Sequence, residues 1–191
     1  LIIVGAGHIA QPLCTVGALL GFRVVVLDDR PDFATRQRFP EAGGVVRVDF
    51  TDPFGRETVT GADHLVLVTR GHKYDYECLR RLLLEPRGPR YIGMIGSRRR
   101  VRATFHQLVE EGIPLDRLAK VRAPLGLDLG AETPAEIAVA IAAEIVEHWR
   151  GGTGQPLVRK ERILERFFQD APSGPADPGL APDPSSESTP E

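Results

Sequence analysis

The chain has 191 residues, 42% of them hydrophobic and 26% charged, with a net charge of −2. That is enough apolar material for one core, and a sequence pI near 6.3 excludes a strongly basic nucleic-acid binder. No apolar run is long enough to span a membrane and no signal peptide is seen, which predicts a cytoplasmic protein with no membrane partner. The two cysteines, Cys14 and Cys78, lie far apart in helical patterns and read as small core residues. The five histidines are scattered, so no metal site is predicted.

Leu1 to Val4 is a short apolar run that leads into Gly5-Ala6-Gly7. His8 to Leu20 has helical apolar spacing, and Gly21 closes it. Arg23 to Leu27 is a continuous β-branched run, as in a strand covered on both faces, and Asp28-Asp29 ends it. Pro31 to Phe39 reads as a loop with one or two helical turns. Val45 to Val48 is a third strand and His64 to Val68 a fourth. Tyr74 to Leu84 is helical until Pro86, Gly88 and Pro89 break it. Arg90 to Ile95 is the fifth strand. Ser97 to Glu111 is a helix with Val101, Phe105, Leu108 and Val109 on one face. Leu118 to Arg122 reads as a short sixth strand. Thr133-Pro134-Ala135-Glu136 combines a capping box with proline at the first helical position. Its helix should reach Arg150, with Ile137, Val139, Ile141, Ile145 and Val146 buried.

The alternation predicts a Rossmann-like, doubly wound parallel α/β sheet with helices on both faces and strand order 3-2-1-4-5. The ligand crevice then lies at the switch point between strands 1 and 4. The expected organisation is a Rossmann-like domain over 1–150, a linker with a short helix over 151–170, and a disordered acidic tail rich in proline and serine over 171–191. Leu1 already sits inside a strand, so an N-terminal domain is expected upstream.

Three strand-end loops carry the candidate site. The first, Gly5-Ala6-Gly7-His8-Ile9-Ala10, fits G-x-G-x-x-A between a strand and a helix. Gly5 allows the turn, Gly7 lets backbone approach a phosphate, and His8 and Ile9 follow at the helix start. Asp28 lies 21 residues after Gly7, where an acid can bind ribose hydroxyls. Asp28 favours an unphosphorylated ribose, Arg30 favours a phosphate, and Asp29 leaves the choice open. The second loop, Thr69-Arg70-Gly71-His72, places a hydroxyl, a guanidinium and an imidazole on the same crevice. It reads either as phosphate contacts, with His72 the one candidate proton carrier, or as a solvated helix entry in which Asp75 favours the dipole. In the third, Gly93 and Gly96 admit close backbone approach, and Ser97 caps a helix whose first turn holds Arg98, Arg99 and Arg100. Cations are disfavoured at a helix N-terminus, so a phosphate is the expected compensation. Ser97 and Arg98, nearest the helix start, are the pair expected to face inward.

These motifs, in order, resemble the C-terminal Rossmann domain of the XdhC/CoxI family. The resemblance rests on Gly5 to Ala10, then Asp28-Asp29-Arg30-Pro31 with Phe33-Ala34 and Arg38-Phe39-Pro40. It continues in Thr69-Arg70-Gly71-His72 with Asp75, Gly93 to Arg99, Pro124 to Leu127, and Gly130 to Ala138. It covers roughly residues 1–150. It implies an accessory protein for xanthine dehydrogenase and related molybdenum hydroxylases. Such a protein is an insertion chaperone that binds molybdenum cofactor, protects it during sulfuration, and passes it to the apo-enzyme. The implied partners are an apo molybdenum hydroxylase and a cysteine desulfurase. Family members carry an N-terminal domain with its own cysteine motif, whose role does not carry over to this chain. The cofactor's phosphate would meet the glycine turn and arginines, whereas no aromatic stands out to meet its pterin. Two other readings stay open. One is an NAD(P)-dependent oxidoreductase using Gly5, Gly7 and Asp28. The other is a regulatory module that senses a nucleotide. The exposed face of the last helix and the Leu157 to Phe168 segment are candidate homodimer surfaces.

Overall fold

The strands are apolar on successive residues because both faces of the sheet are covered. In the computed structural model, which describes residues 1–157 except 56 and 87, six strands form one parallel sheet. They are β1 (Ile2–Val4), β2 (Val25–Asp28), β3 (Gly44–Arg47), β4 (His64–Leu67), β5 (Tyr91–Met94) and β6 (Val121–Arg122). Their order is β3-β2-β1-β4-β5-β6, which is the expected order with one strand added at the edge. β1 lies between β2 and β4, with Val4 opposite Leu27 on one side and Leu67 on the other.

Alternate side chains of each strand enter opposite cores. Ile2, Val4, Leu27, Leu65 and Leu67 pack under α2 (His72–Leu84) and α3 (Arg98–Glu110). Ile3, Val24, Val26 and Val66 pack under α1 (Ala10–Leu19) and α5 (Pro134–Arg150). Cys14 and Cys78 are buried among them as free thiols, and burial pushes the Cys14 thiol up to about 11. A short α4 (Leu115–Leu118) occupies the region before β6. The expected sixth strand therefore shrinks to Val121–Arg122. Pro31 to Phe39 holds turns and no helix.

Helix starts are set by local chemistry. The Thr133–Glu136 capping box forms as expected, and Gly151 closes α5 at φ 74°. Val139 is an exception on that helix, at 50% exposure. It falls on the outer face, between the buried Ala138 and Ala140. Ser97 caps α3 by accepting a hydrogen bond from the Arg100 amide. On α3, Thr104 is buried where Val109 was expected to be; Val109 is 42% exposed. α1 starts at Ala10 rather than His8 and has no capping side chain.

Residues Leu1–Gly154 form one compact unit. The short helix expected within 151–170, the 171–191 tail and the Leu157 to Phe168 dimer surface fall largely or wholly outside the described residues. Among the described residues no helix is long and apolar enough to cross a membrane.

The glycine turn needs one residue with no Cβ. Gly5 sits at φ 104°, and a Cβ there would lie 2.6 Å from the Val68 carbonyl oxygen. At Gly7 a Cβ meets nothing within 4 Å. Gly5→Ala is therefore expected to lose about 2 kcal/mol of stability in urea unfolding, and Gly7→Ala less than about 0.5 kcal/mol. Equal losses would contradict this division.

Candidate functional site

The carboxyl ends of β1, β2 and β4 meet at the switch point of the sheet. The Gly5 amide continues the ladder by donating to the Leu27 carbonyl at 2.7 Å. The Ala6 amide then donates to Asp28 Oδ2 at 2.7 Å. Beyond it, the amides of Gly7, His8 and Ile9 have no hydrogen-bond partner among the described residues. They open into the uncapped N-terminus of α1, whose first turn holds no acid. Free amides and the positive end of the helix dipole are the chemistry that suits a helix start to an anion. His8 is exposed beside it.

Asp28 serves the protein itself. Its carboxylate is 1% exposed and also accepts from the Arg30 amide and from Nε and Nη2 of Arg30, each at 2.9 Å. Burial acts to raise its pKa, but the Arg30 guanidinium and the Ala6 and Arg30 amides outweigh burial and hold it at about 2. Both oxygens are spoken for, so neither is offered to a ribose. Arg30 lies over the Phe33 ring at 3.5 Å, and Arg38, also against Phe33, reaches the Ala6 carbonyl at 3.3 Å. The Asp28-to-Phe39 stretch thus braces the turn from behind.

Asp29 points the other way. Arg70, at the end of β4, binds it bidentately at 2.6 and 2.7 Å and also donates to the Tyr74 hydroxyl at 2.9 Å. This pair links the ends of β2 and β4, the neighbours of β1. The hydrogen bonds to Asp29 raise the Arg70 pKa above its ordinary value, so the guanidinium stays charged.

The third constellation is buried. Thr69 Oγ1 donates to Asp75 Oδ1 at 2.6 Å. Arg100 Nε donates to Asp75 Oδ2 at 2.8 Å, and its Nη2 reaches the same oxygen and Thr69 Oγ1. Burial pushes the Asp75 carboxyl up, against the Thr69 hydroxyl and the Arg100 guanidinium. Asp75 therefore ties the β4 loop to α3 and does not act as a helix-dipole partner in solvent.

These contacts correct the third loop. Arg100 is the arginine turned inward. Arg98 and Arg99 are exposed and make no hydrogen bond or ion pair among the described residues. The reason is helical spacing: Arg100, Thr104 and Leu108 form one row on the covered face of α3. Ser97 is exposed as the cap. Gly93 serves packing, since a Cβ there would meet Leu125 at 2.4 Å and Tyr91 at 3.0 Å. Gly96, at φ 155°, sits against the Arg100 stem. Gly71 precedes α2 in extended conformation, and His72 is its exposed first residue.

A cavity of about 590 Å³ lies between the end of β3 and the first turns of α2, with Asp29 in its wall. Arg47, Asp49, Phe50, Tyr74 and Glu77 are among its walls. Phe50 and Tyr74 stack there at 3.9 Å between ring centroids. The sequence offered no sign of this pair, because 24 positions separate its members and no motif joins them.

Sheet order and crevice define a Rossmann-type α/β domain. The chain belongs to the XdhC family, whose Rossmann domain matches residues 1–145. It is 31% identical over 147 residues to two proteins. One is the uncharacterised protein YqeB of Escherichia coli K12, of which it covers 27%. The other, from Bacillus subtilis 168, is described as a probable component of xanthine dehydrogenase, and the chain covers 42% of it; each match takes in 77% of this chain. It also resembles a crystal structure of a Bacillus halodurans protein described as a xanthine dehydrogenase. That match has 33% identity and a TM-score of 0.68, covering 78% of this chain and 42% of the other. The chain thus spans less than half the length of these relatives.

The paired carboxylates lead to two expectations. The Asp28 pKa is depressed on folding, so its contribution is present above about pH 4 and fades as pH falls toward 2. Between those values the parent chain should lose about 2 kcal/mol more stability than Asp28→Asn. Parallel pH profiles in chemical unfolding would contradict this. Arg100→Ala leaves a buried, unpaired Asp75 and should cost about 3–5 kcal/mol, largely recovered in an Asp75→Leu/Arg100→Met double variant. Thermal unfolding of both variants checks it.

Proposed function

We propose that this domain binds molybdenum cofactor and serves as an accessory factor in the maturation of a xanthine dehydrogenase type molybdenum hydroxylase. The observation that carries the reading is the row of unpartnered amides from Gly7 to Ile9 at an uncapped helix start. Family membership and relatives named for xanthine dehydrogenase support the partner. The cofactor carries a phosphate, and the residues fit that group: three amide donors are unpartnered among the described residues, and a Cβ at Gly7 would meet no protein atom within 4 Å. Gly7, His8 and Ile9 would hold the phosphate by their amides, and Arg38, whose guanidinium reaches the Ala6 carbonyl, is a permanent cation beside them. The cofactor supplies the redox chemistry of the hydroxylase; this chain's part is to bind, orient and release it. The apo-hydroxylase is the acceptor in this reading, and a cysteine desulfurase would act on the cofactor while it is held. A dinucleotide reading would need an acid free to take a ribose, and Asp28 has both oxygens engaged by Ala6 and Arg30.

The test is anaerobic titration of the chain with molybdenum cofactor, NADH and NADPH, followed by calorimetry. The cofactor should bind without turnover. Gly7→Ala keeps the amide but puts a methyl group where the phosphate approaches, and should weaken binding at least about tenfold with unfolding unchanged. Tight NADH binding with hydride transfer to any acceptor would overturn the proposal.

A further inference from the structure

The cavity beside Tyr74 has a chemical character that the glycine turn lacks. Two of its walls, Asp29 and Tyr74, are held by Arg70, which follows β4 at the same carboxyl edge of the sheet as the turn. One wall is the stacked Phe50–Tyr74 pair. Phe50 is buried and Tyr74 half-buried, so the tyrosine is the more accessible member of the pair. The other walls carry charge of both signs. Glu77 is half-buried and makes no hydrogen bond or ion pair among the described residues. Asp49 uses one oxygen to accept the Thr51 amide at 2.9 Å, and that bond lowers its pKa, keeping it an anion. Lys73 has no partner among the described residues, and Arg47 spends only Nε, on the Asp29 carbonyl at 3.3 Å.

We propose that this cavity is the subsite for a fused ring with a 2-amino-4-oxo-pyrimidine edge, with Glu77 its principal reader. Such a ring presents two adjacent N–H donors, the exocyclic amine and the ring N–H, which a single carboxylate accepts side by side. Its carbonyl and ring nitrogen are acceptors and suit Arg47 and Lys73. Adenine has the wrong edge, since it offers one donor beside one acceptor and gives a carboxylate only half a partner. The ring face meets Tyr74, and the volume lies in the range of clefts that hold small ligands. The inference rests on the cofactor reading above and names the part of that molecule the cavity takes, the pterin. A guanine base carries the same edge.

The experiment uses 6-hydroxymethylpterin, which has neither phosphate nor metal, with its own fluorescence as the signal. The 191-residue chain should bind it and quench it. Glu77→Gln, equal in size, should weaken binding at least about tenfold, the loss of a charge-assisted pair of hydrogen bonds. Competition separates the two sources. Guanosine monophosphate displacing the pterin more strongly than guanosine would assign the cavity to a guanine nucleotide. Pterin binding tighter than both would assign it to the pterin. Competition by adenosine monophosphate equal to that of guanosine monophosphate overturns the edge-specific reading, as would undiminished pterin binding in Glu77→Gln. If the pterin fails to bind while intact molybdenum cofactor still does, the subsite is wrong and the cofactor reading stands. If both fail, the cofactor reading falls with it.

Discussion

The carboxylate of Asp28 ties the crevice together. It is buried at the end of β2, yet its partners come from two directions: the Ala6 amide in the glycine turn and the backbone and guanidinium of Arg30. A buried carboxylate is tolerated only when its lone pairs are filled. Filling them fixes the turn relative to β2 and commits Arg30 to lie over Phe33. The next three amides, Gly7 to Ile9, are left with no partner of the protein's own among the described residues. A turn that satisfied its own donors would have no affinity to offer an anion.

The same logic recurs along the carboxyl edge of the sheet. Asp29 is matched by Arg70, and Asp75 by Arg100. Each pair joins two elements that follow different strands. Their environments differ, and so do their roles. Asp75 is fully buried, so the Arg100 pair is a structural pin whose loss exposes the cost of an unpaired interior charge. The Asp29–Arg70 pair is partly solvated, so water screens it and its net worth is small. An anion would compete for Arg70 at modest cost.

Much of this was legible in the sequence, for identifiable reasons. Strand order followed from the alternation of continuous apolar runs with helical patterns, because parallel crossovers leave few topologies. The Thr133 and Ser97 caps were readable because capping is local in sequence. Asp28, Asp29, Arg30 and Arg70 stand at strand ends in the sequence, but their partners were not readable. Asp28 reads as a ribose acid only when Arg30 is ignored, and Arg100 pairs with Asp75 across 25 positions. The buried row Arg100, Thr104, Leu108 carried a signal that the cluster of three arginines obscured. The Phe50–Tyr74 stack carried none, since it exists only because the β3 exit and α2 meet in space.

The account rests on the amides after Ala6 being kept free for an anion. Amide nuclear magnetic resonance of the isotopically labelled chain, titrated with anaerobic molybdenum cofactor, tests this most directly. The predicted result is saturable shifts of the Gly7, His8 and Ile9 resonances, with the Asp28-bound Ala6 amide little changed. Saturable shifts confined to residues away from the turn, with Gly7 to Ile9 unmoved, would contradict it.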